Sequence, residues 1–443
     1  MITNNLVRIR LREFKDIVLF ALSWSLCFVV PHFQQTFNVL VIITHLLIAI
    51  LLSFTLYQVL LLDNFRKITL NLFFISLLPI FYIASMILAY SSKDKFYFFI
   101  NRFGAGSMYK NDKVYLFSDL THLTSASSCS IPVKIGESIC DPFSRIFNQN
   151  PHIVDFLKVF GFSNLFFAGF ISTLLFFFIM LMIYYKQYLS TVSFLLVLLS
   201  PPVILALDRG NEIITLLLIL PGLYLIKRNS RHQMFGALLL CLATVFKLWP
   251  VILLISIVFF LWNHLAVFSR LLIFVTLFYW IIYRDNAFNM LDSTQKGGPF
   301  GLSLGLVHYI NGSISWTILP FFLLATSAIS TLVFIKFNLI SYGRYENSLD
   351  LFVFNSLILT YFTIWATGDS YIYRLILLIP VLVFLRRVFV QVPTRTALET
   401  LIVATMLTSK LTITTIMTST LAIVFAIILI HQTLILKQLR FIK

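Results

Sequence analysis

The chain has 443 residues, of which 59% are hydrophobic and 11% charged, and its formal net charge is +16. A soluble fold of this size has too little interior for that much apolar surface, and the apolar stretches recur along the whole chain, which argues against one anchor on a soluble domain. The Lys and Arg residues are dispersed in short connectors, so the contiguous basic face expected of a nucleic-acid-binding protein is not found.

The apolar segments predict the fold class, an all-α, polytopic transmembrane helical bundle. Fourteen segments are marked, at approximately 16–31, 38–62, 69–91, 155–184, 189–206, 212–226, 234–246, 249–262, 271–283, 313–335, 349–366, 374–385, 396–409 and 411–433. Several are shorter than the roughly 20 residues that a perpendicular span needs. The short pair meeting near Lys247 and Pro250 is typical of a broken or partly re-entrant helix that lines a cavity.

The basic residues predict the orientation of these segments. With the N-terminus inside, most Lys and Arg residues fall in cytoplasmic connectors, such as 66–67, 227–231 and 386–395, and in the C-terminal tail. This is the distribution that the positive-inside rule describes. The basic N-terminus precedes an apolar run without a small-residue cleavage site, so we expect it to be a retained first span.

A long loop, residues 92–154, follows the third segment and lies outside in this orientation. Cys129 and Cys140 both lie in it and are predicted to form a disulfide, which persists in an oxidising compartment. The same loop contains Asp119 and Asp141. We therefore expect a multi-pass protein of the plasma (inner) membrane whose site faces outwards.

Further charged residues come from distant parts of the chain to the same outer face. Asp208, Arg209 and Glu212 lie at one outer turn, Lys247 at another, and Asp369 with Arg374 at a third. Ionisable groups at the edges of apolar segments indicate a functional site, although outer turns of any membrane protein carry solvated charges. Cations that neutralise a leaving phosphate, with a carboxylate that accepts a hydroxyl proton, suit sugar transfer from a polyprenyl phosphate.

Two stretches of the chain resemble a known family. The first runs from Leu207 to Pro250 and contains Asp208-Arg209-Gly210-Asn211 and Lys247-Leu248-Trp249-Pro250; the second is Gly368-Asp369-Ser370-Tyr371-Ile372-Tyr373-Arg374-Leu375, followed by Ile379-Pro380. Both resemble the polyprenol-phosphate-mannose-dependent alpha-mannosyltransferases of glycosyltransferase family 87. Those are membrane enzymes of the GT-C superfamily.

The resemblance implies how the chain is organised and what it does. It covers residues 69–390, a GT-C-like catalytic core that includes the loop 92–154; residues 1–68 are then two preceding helices, and residues 391–443 are C-terminal helices with a basic cytoplasmic tail. It implies inverting transfer of a hexose, mannose in this family, to a glycan or glycolipid acceptor on the non-cytoplasmic face. No cofactor is expected.

The resemblance also assigns roles to residues. Ser118-Asp119-Leu120 looks like the counterpart of the catalytic carboxylate in the family's first outer loop, so Asp119 is the expected base and Asp141 the alternative. The cations expected at the donor phosphate are Arg209, Lys247 and Arg374. The residues expected to bind substrate are Asp208, Asn211, Glu212, His122, Asp369 and Tyr373.

The chain departs from the family pattern in its two preceding segments and in its long, cysteine-containing loop, which leaves the acceptor open. A divalent ion shared by Asp119 and Asp141 is a minor alternative, and no metal site is predicted. Two rival functions are a polytopic transporter or lipid flippase for a polysaccharide precursor, and a non-catalytic assembly subunit. The chain shows no internal repeat, and its polar groups favour the outer face over the midplane, which favours the enzyme.

Overall fold

The computed structural model describes the helical core of the chain. It covers Leu22 and residues 108–110, 113–115, 118–130, 134–138, 140–141, 147, 150–159, 165–185, 189–292, 303–304, 348–367, 370–389, 392–407 and 417–430. Apart from Leu22, the segments predicted at 16–31, 38–62, 69–91 and 313–335 lie outside the described residues.

The described residues form fourteen α-helices. They are α1 Ser118–Ser127, α2 Pro151–Val159, α3 Leu165–Tyr185, α4 Thr191–Leu198, α5 Pro201–Arg209, α6 Asn211–Ile226, α7 Ser230–Phe246, α8 Pro250–Leu261, α9 Val267–Ile282, α10 Arg284–Asp292, α11 Ser348–Thr367, α12 Leu378–Val388, α13 Val392–Leu407 and α14 Met417–Ile430. Two 3-10 helices, Trp262–His264 and Ile372–Leu377, lead out of α8 and into α12.

Four short strands are the exceptions to the predicted all-α fold. Strand β1, Met108–Lys110, pairs antiparallel with β2, Lys113–Tyr115. Strand β3, Ser303–Leu304, pairs antiparallel with β4, Ser370–Tyr371. The described chain is otherwise helical, so the helical fold class is confirmed.

Proline and capping residues determine several helix boundaries. The side chains of Ser190 and Asn229 accept hydrogen bonds from backbone N–H groups in the first turns of α4 and α7. Pro201 begins α5 directly after Ser200. The apolar segment predicted at 189–206 is therefore covered by two helices, α4 and α5, because proline has no N–H to continue the preceding helix.

Helices α6 and α7 pack along each other at two glycines. A Cβ atom at Gly236 would lie 2.6 Å from the backbone nitrogen of Ile226 and 2.8 Å from the carbonyl oxygen of Gly222. A Cβ atom at Gly222 would instead first meet the side chain of Leu240, at 2.9 Å. Only glycine at position 236 permits this approach of the two backbones.

The remaining helices continue from this pair into one core. Helix α7 also contacts α9, α6 contacts α3, α8 packs on α11, and α11 packs on α12. Hydroxyl groups join α8 and α11 inside the bundle: the Ser356 hydroxyl donates to the Ser256 carbonyl at 3.3 Å. The largest fully buried side chains of this core include Phe176, Phe194, Phe354, Phe384 and Phe425.

A buried charge cluster fastens the end of the bundle where α6 and α12 finish and α11 begins. We call it the opposite end, because it is the other end of α6 from the candidate site described below. Asp350 at the start of α11 pairs with Lys227 just after α6, and Arg387 at the end of α12 lies 3.6 Å from the same carboxylate oxygen. Burial lowers the pKa of Lys227 below its ordinary value of 10.5 against the raising effect of the hydrogen bond to Asp350, and the positive charge of Arg387 lowers it further.

Helix α9 carries an exposed apolar face. Phe268, Leu271, Phe274, Phe278 and Ile282 are each more than half exposed. No single helix among the described residues has the length and hydropathy expected of a membrane span, whereas the bent pair Val267–Ile282 and Arg284–Met290, at 72°, meets them together. Five shorter apolar helices are also found, at Ala168–Tyr184, Glu212–Ile226, Pro250–His264, Leu349–Trp365 and Met417–Ile430.

Candidate active site

Helix α1 lies in the predicted outer loop and holds the first part of the candidate site. Asp119 is its second residue, and the Asp119 side chain lies outside the described residues. His122, one turn later, is described: its ring nitrogen Nδ1 forms a short contact with an Asp141 carboxylate oxygen. Both side chains are buried, at 7% and 2% exposed. Asp141 is therefore brought to α1 by folding.

A disulfide holds the chain at this point. Cys129 and Cys140 are bonded, which is the pairing expected from the sequence. Cys140 has a φ of 65°, and it is the one residue other than glycine with a positive φ among those the structure describes. The bond thus fixes a left-handed residue directly before Asp141.

A small apolar cluster attaches α1 to the rest of the molecule. Leu123 and Ala126 of α1 pack with Phe147 and Ile153, and Val245 and Phe246 at the end of α7 pack against the same cluster. Phe246 immediately precedes Lys247. The cluster therefore brings the end of α7 to the helix that contains His122.

Gly210 makes the turn that contains the second group of predicted residues. It is the junction between α5 and α6 and has a φ of 85°, a conformation in which glycine has no Cβ penalty. Asp208 and Arg209 are the last residues of α5, and Asn211 is the first of α6. The side chains of these three residues lie outside the described part of the chain.

Glu212, in the first turn of α6, is fully buried at 0% exposed. One of its carboxylate oxygens accepts a hydrogen bond from the indole nitrogen of Trp249 at 3.1 Å, and the other lies 3.8 Å from the Lys247 ammonium nitrogen. A buried carboxylate is favourable only when charges and donors surround it. The structure therefore joins Glu212, Lys247 and Trp249 in one buried group.

The third predicted outer turn lies against the same helices. The 3-10 helix Ile372–Leu377, which includes Tyr373 and Arg374, packs on α5 and also contacts α6, and α1 packs on α5 as well. The side chains of Tyr373 and Arg374 and the whole of Asp369 lie outside the described residues. Helix α5 is thus the common neighbour of the elements predicted to form the site, and we call this the site end.

Two contacts at the site end were not predicted from the sequence. Trp249 lies in the motif Lys247-Leu248-Trp249-Pro250, but its indole contacts Glu212, which is 37 positions earlier in the chain. Asn150, directly before α2, donates to the hydroxyl of Tyr279 on α9 at 3.1 Å and accepts from the backbone of His152. An Asn before a helix signals a cap; its pairing with α9 has no local sequence signal.

The site end has no preformed metal cluster among the residues the structure describes: no three His, Cys, Asp or Glu side chains lie close enough together to hold an ion. His122 and Asp141 are two potential ligands, and they bond to each other.

Comparison with known proteins adds no family. No family model matches the chain, and no curated protein or solved structure is significantly similar to it. The residues of the site end and their arrangement therefore carry the proposed function.

Proposed function

We propose that the chain is a membrane glycosyltransferase that moves a hexose, with mannose as the first candidate, from a polyprenyl-phosphate donor to a glycan or glycolipid acceptor. The transfer occurs on the non-cytoplasmic face and inverts the anomeric centre. The observation that carries the proposal is the common packing of α1 and the 3-10 helix Ile372–Leu377 on α5, beside the buried group of Glu212, Lys247 and Trp249.

The donor phosphate is assigned to the cations of this end. Lys247 is mostly buried and lies beside Glu212. A cation in such surroundings interacts more strongly with a phosphate than one in water, since the local dielectric is lower. Arg209 at the end of α5 and Arg374 in the 3-10 helix that packs on α5 are assigned to the same phosphate.

A carboxylate is assigned as the base that accepts the proton of the acceptor hydroxyl. A hydroxyl attacks the anomeric carbon more readily if a base takes its proton as the bond forms. Asp119 on α1 is the proposed base. Asp141, whose carboxylate contacts His122, is the alternative.

The membrane location rests on two features of the bundle. The apolar face of α9 is exposed along its length, and large exposed apolar patches mark contact with lipid or with another protein. In addition, residues predicted to lie on the same face of the membrane contact each other. Glu212 bonds to Trp249 at the site end, whereas Lys227 bonds to Asp350 at the opposite end. This is the pairing expected of helices that alternate in direction between two faces.

The proposal is tested with purified protein in liposomes that contain radiolabelled polyprenyl-phosphate mannose and octyl α-mannoside as the acceptor. We expect labelled disaccharide to form. In Lys247→Met, loss of one cation at the phosphate should lower the rate about a hundredfold. Lys134→Met, at an exposed loop position, is the matched control and should keep the wild-type rate.

Two results would contradict the enzyme. If wild-type protein moved the labelled lipid between leaflets and formed no disaccharide, the chain would be a flippase. If Lys247→Met and Lys134→Met were equally active, the phosphate would not be held at Lys247.

A further inference from the structure

The contact between His122 and Asp141 leaves one ring nitrogen unexplained. Nε2 of His122 is buried and has no hydrogen-bond partner among the described residues. Buried polar atoms in folded proteins nearly always have a partner, because an unsatisfied one is unfavourable. Beside a candidate active site, such a nitrogen is a place where a ligand can supply the partner.

Asp141 determines what kind of partner Nε2 can take. An ionised carboxylate only accepts hydrogen bonds, so beside it Nδ1 of His122 carries the proton and donates to Asp141. In the neutral ring, Nε2 then has a lone pair and accepts a hydrogen bond. A hydroxyl group of a sugar is a donor of the required kind.

A disulfide lies directly beside this carboxylate in the chain. Cys140, bonded to Cys129, adopts the left-handed conformation that residues other than glycine rarely take. The next residue is Asp141. Backbone hydrogen bonds hold the same loop to Phe147: Gly136 donates to its carbonyl oxygen, and Phe147 donates to that of Glu137. The ring of Phe147 lies 5.3 Å from that of His122.

From these contacts we propose that His122 binds a hydroxyl of the sugar acceptor through Nε2, and that Asp141, held by the Cys129–Cys140 disulfide, is the positioning residue that fixes the ring for this role. The proposal rests on the proposed function for the identity of the ligand. It gives His122 a role distinct from that of the base, since Nε2 holds a hydroxyl while Asp119 accepts the reacting proton.

Three variants separate binding from structure. His122→Asn keeps an N–H donor near the place of Nδ1, and so the contact with Asp141, but has no atom at Nε2. Asp141→Asn removes the charge and offers Nδ1 either an amide oxygen or an amide N–H, so the side chain no longer determines which ring nitrogen carries the proton. Cys129→Ser with Cys140→Ser removes the bond that holds Asp141.

The variants are compared by hydrogen exchange of residues 118–127 and by steady-state transfer from polyprenyl-phosphate mannose to octyl α-mannoside. We expect His122→Asn to exchange like wild type and to show a KM for octyl α-mannoside about tenfold higher, the loss of one hydrogen bond, with the donor KM unchanged. Asp141→Asn should raise the same KM. The double serine variant should raise both the exchange and the KM.

The outcomes distinguish this inference from the proposed function. An unchanged KM for octyl α-mannoside in both His122→Asn and Asp141→Asn would overturn the role of His122. Wild-type exchange of residues 118–127 in the double serine variant would overturn the role of the disulfide, whatever the activity. If wild-type protein did not consume the donor at all, the proposed function and the acceptor assignment would both fail, and the exchange comparison would still decide whether the disulfide holds the pair.

Discussion

At the scale of single residues, the molecule buries several charges and surrounds each with specific partners. Glu212 is the clearest case, since it is fully buried between the indole of Trp249 and the ammonium group of Lys247. Hydrogen bonds to charged groups contribute more than those between neutral groups, because the buried charge has no water to replace them. The position of Lys247 therefore depends on a carboxylate and an indole behind it.

Replacing Trp249 with Phe should destabilise the protein by about 1.5–3 kcal/mol through the lost bond to the Glu212 carboxylate. The matched control is Trp280→Phe, in which an equally buried indole loses a 3.1 Å bond to the neutral hydroxyl of Thr244, and about 0.5–1.5 kcal/mol is expected. Unfolding temperatures followed by tryptophan fluorescence compare the two. Equal losses would show that Glu212 does not depend on Trp249.

At the scale of elements, the contact between α6 and α7 is limited by backbone and not by side chains. The nearest atoms to a Cβ at Gly236 belong to the backbones of Ile226 and Gly222, which cannot move without separating the helices. At Gly222 the two nearest atoms belong to the Leu240 side chain, and the nearest backbone atom, the Gly236 carbonyl oxygen, is farther away at 3.2 Å. The two glycines of one contact are therefore not equivalent.

Gly236→Ala should destabilise the protein by about 1–3 kcal/mol through overpacking, which exceeds the gain of up to about 1 kcal/mol in helix propensity. Gly222→Ala, the matched change across the contact, should be closer to neutral. Thermal unfolding in detergent measures both. A greater loss at Gly222 would mean that the separation of α6 and α7 is set elsewhere.

Sequence patterns predicted the elements better than their contacts. The segment at 212–226 became α6 at Asn211–Ile226, because a long apolar run is a local property. The segment at 189–206 contains two helices and not one. The apolar run continues through Pro201, whereas the helical hydrogen bonds of the backbone do not. Hydropathy alone does not detect this interruption.

The site could be predicted as a set of residues but not as a set of partners. Lys247 and Glu212 stood out as charges at the edges of apolar segments, and they lie together. The partners of His122 and Lys227 are 19 and 123 positions away. Such pairs depend on how loops and helices fold against one another, and no periodicity in the sequence reports that.

At the scale of the whole molecule, exposure differs sharply between helices. Phe274 and Phe278 on α9 are 60% and 52% exposed, whereas every apolar residue of α12 from Leu378 to Leu385 is buried. In water the α9 face would be an aggregation site; in lipid it is the surface expected of a helix at the periphery of a bundle.

A photoactivatable apolar reagent dissolved in the bilayer should therefore label residues 267–282 and leave residues 378–388 almost unlabelled. Mass spectrometry of peptides from reconstituted protein gives the ratio. The matched control is the same experiment after denaturation in detergent, which should remove the difference. Equal labelling of α9 and α12 in the folded protein would contradict a lipid-facing α9.

The charge cluster at the opposite end has a consequence for biosynthesis. Lys227 and its carboxylate partner Asp350 are 123 residues apart, so at ordinary translation speeds the lysine leaves the ribosome roughly 6 to 25 s before the aspartate. During that interval the ammonium group lacks its carboxylate partner, and this ion pair does not yet join the end of α6 to α11. Nascent chains that stop before residue 350 would carry α6 and α7 without this ion pair, so the fastening of α6 at this end awaits synthesis of α11.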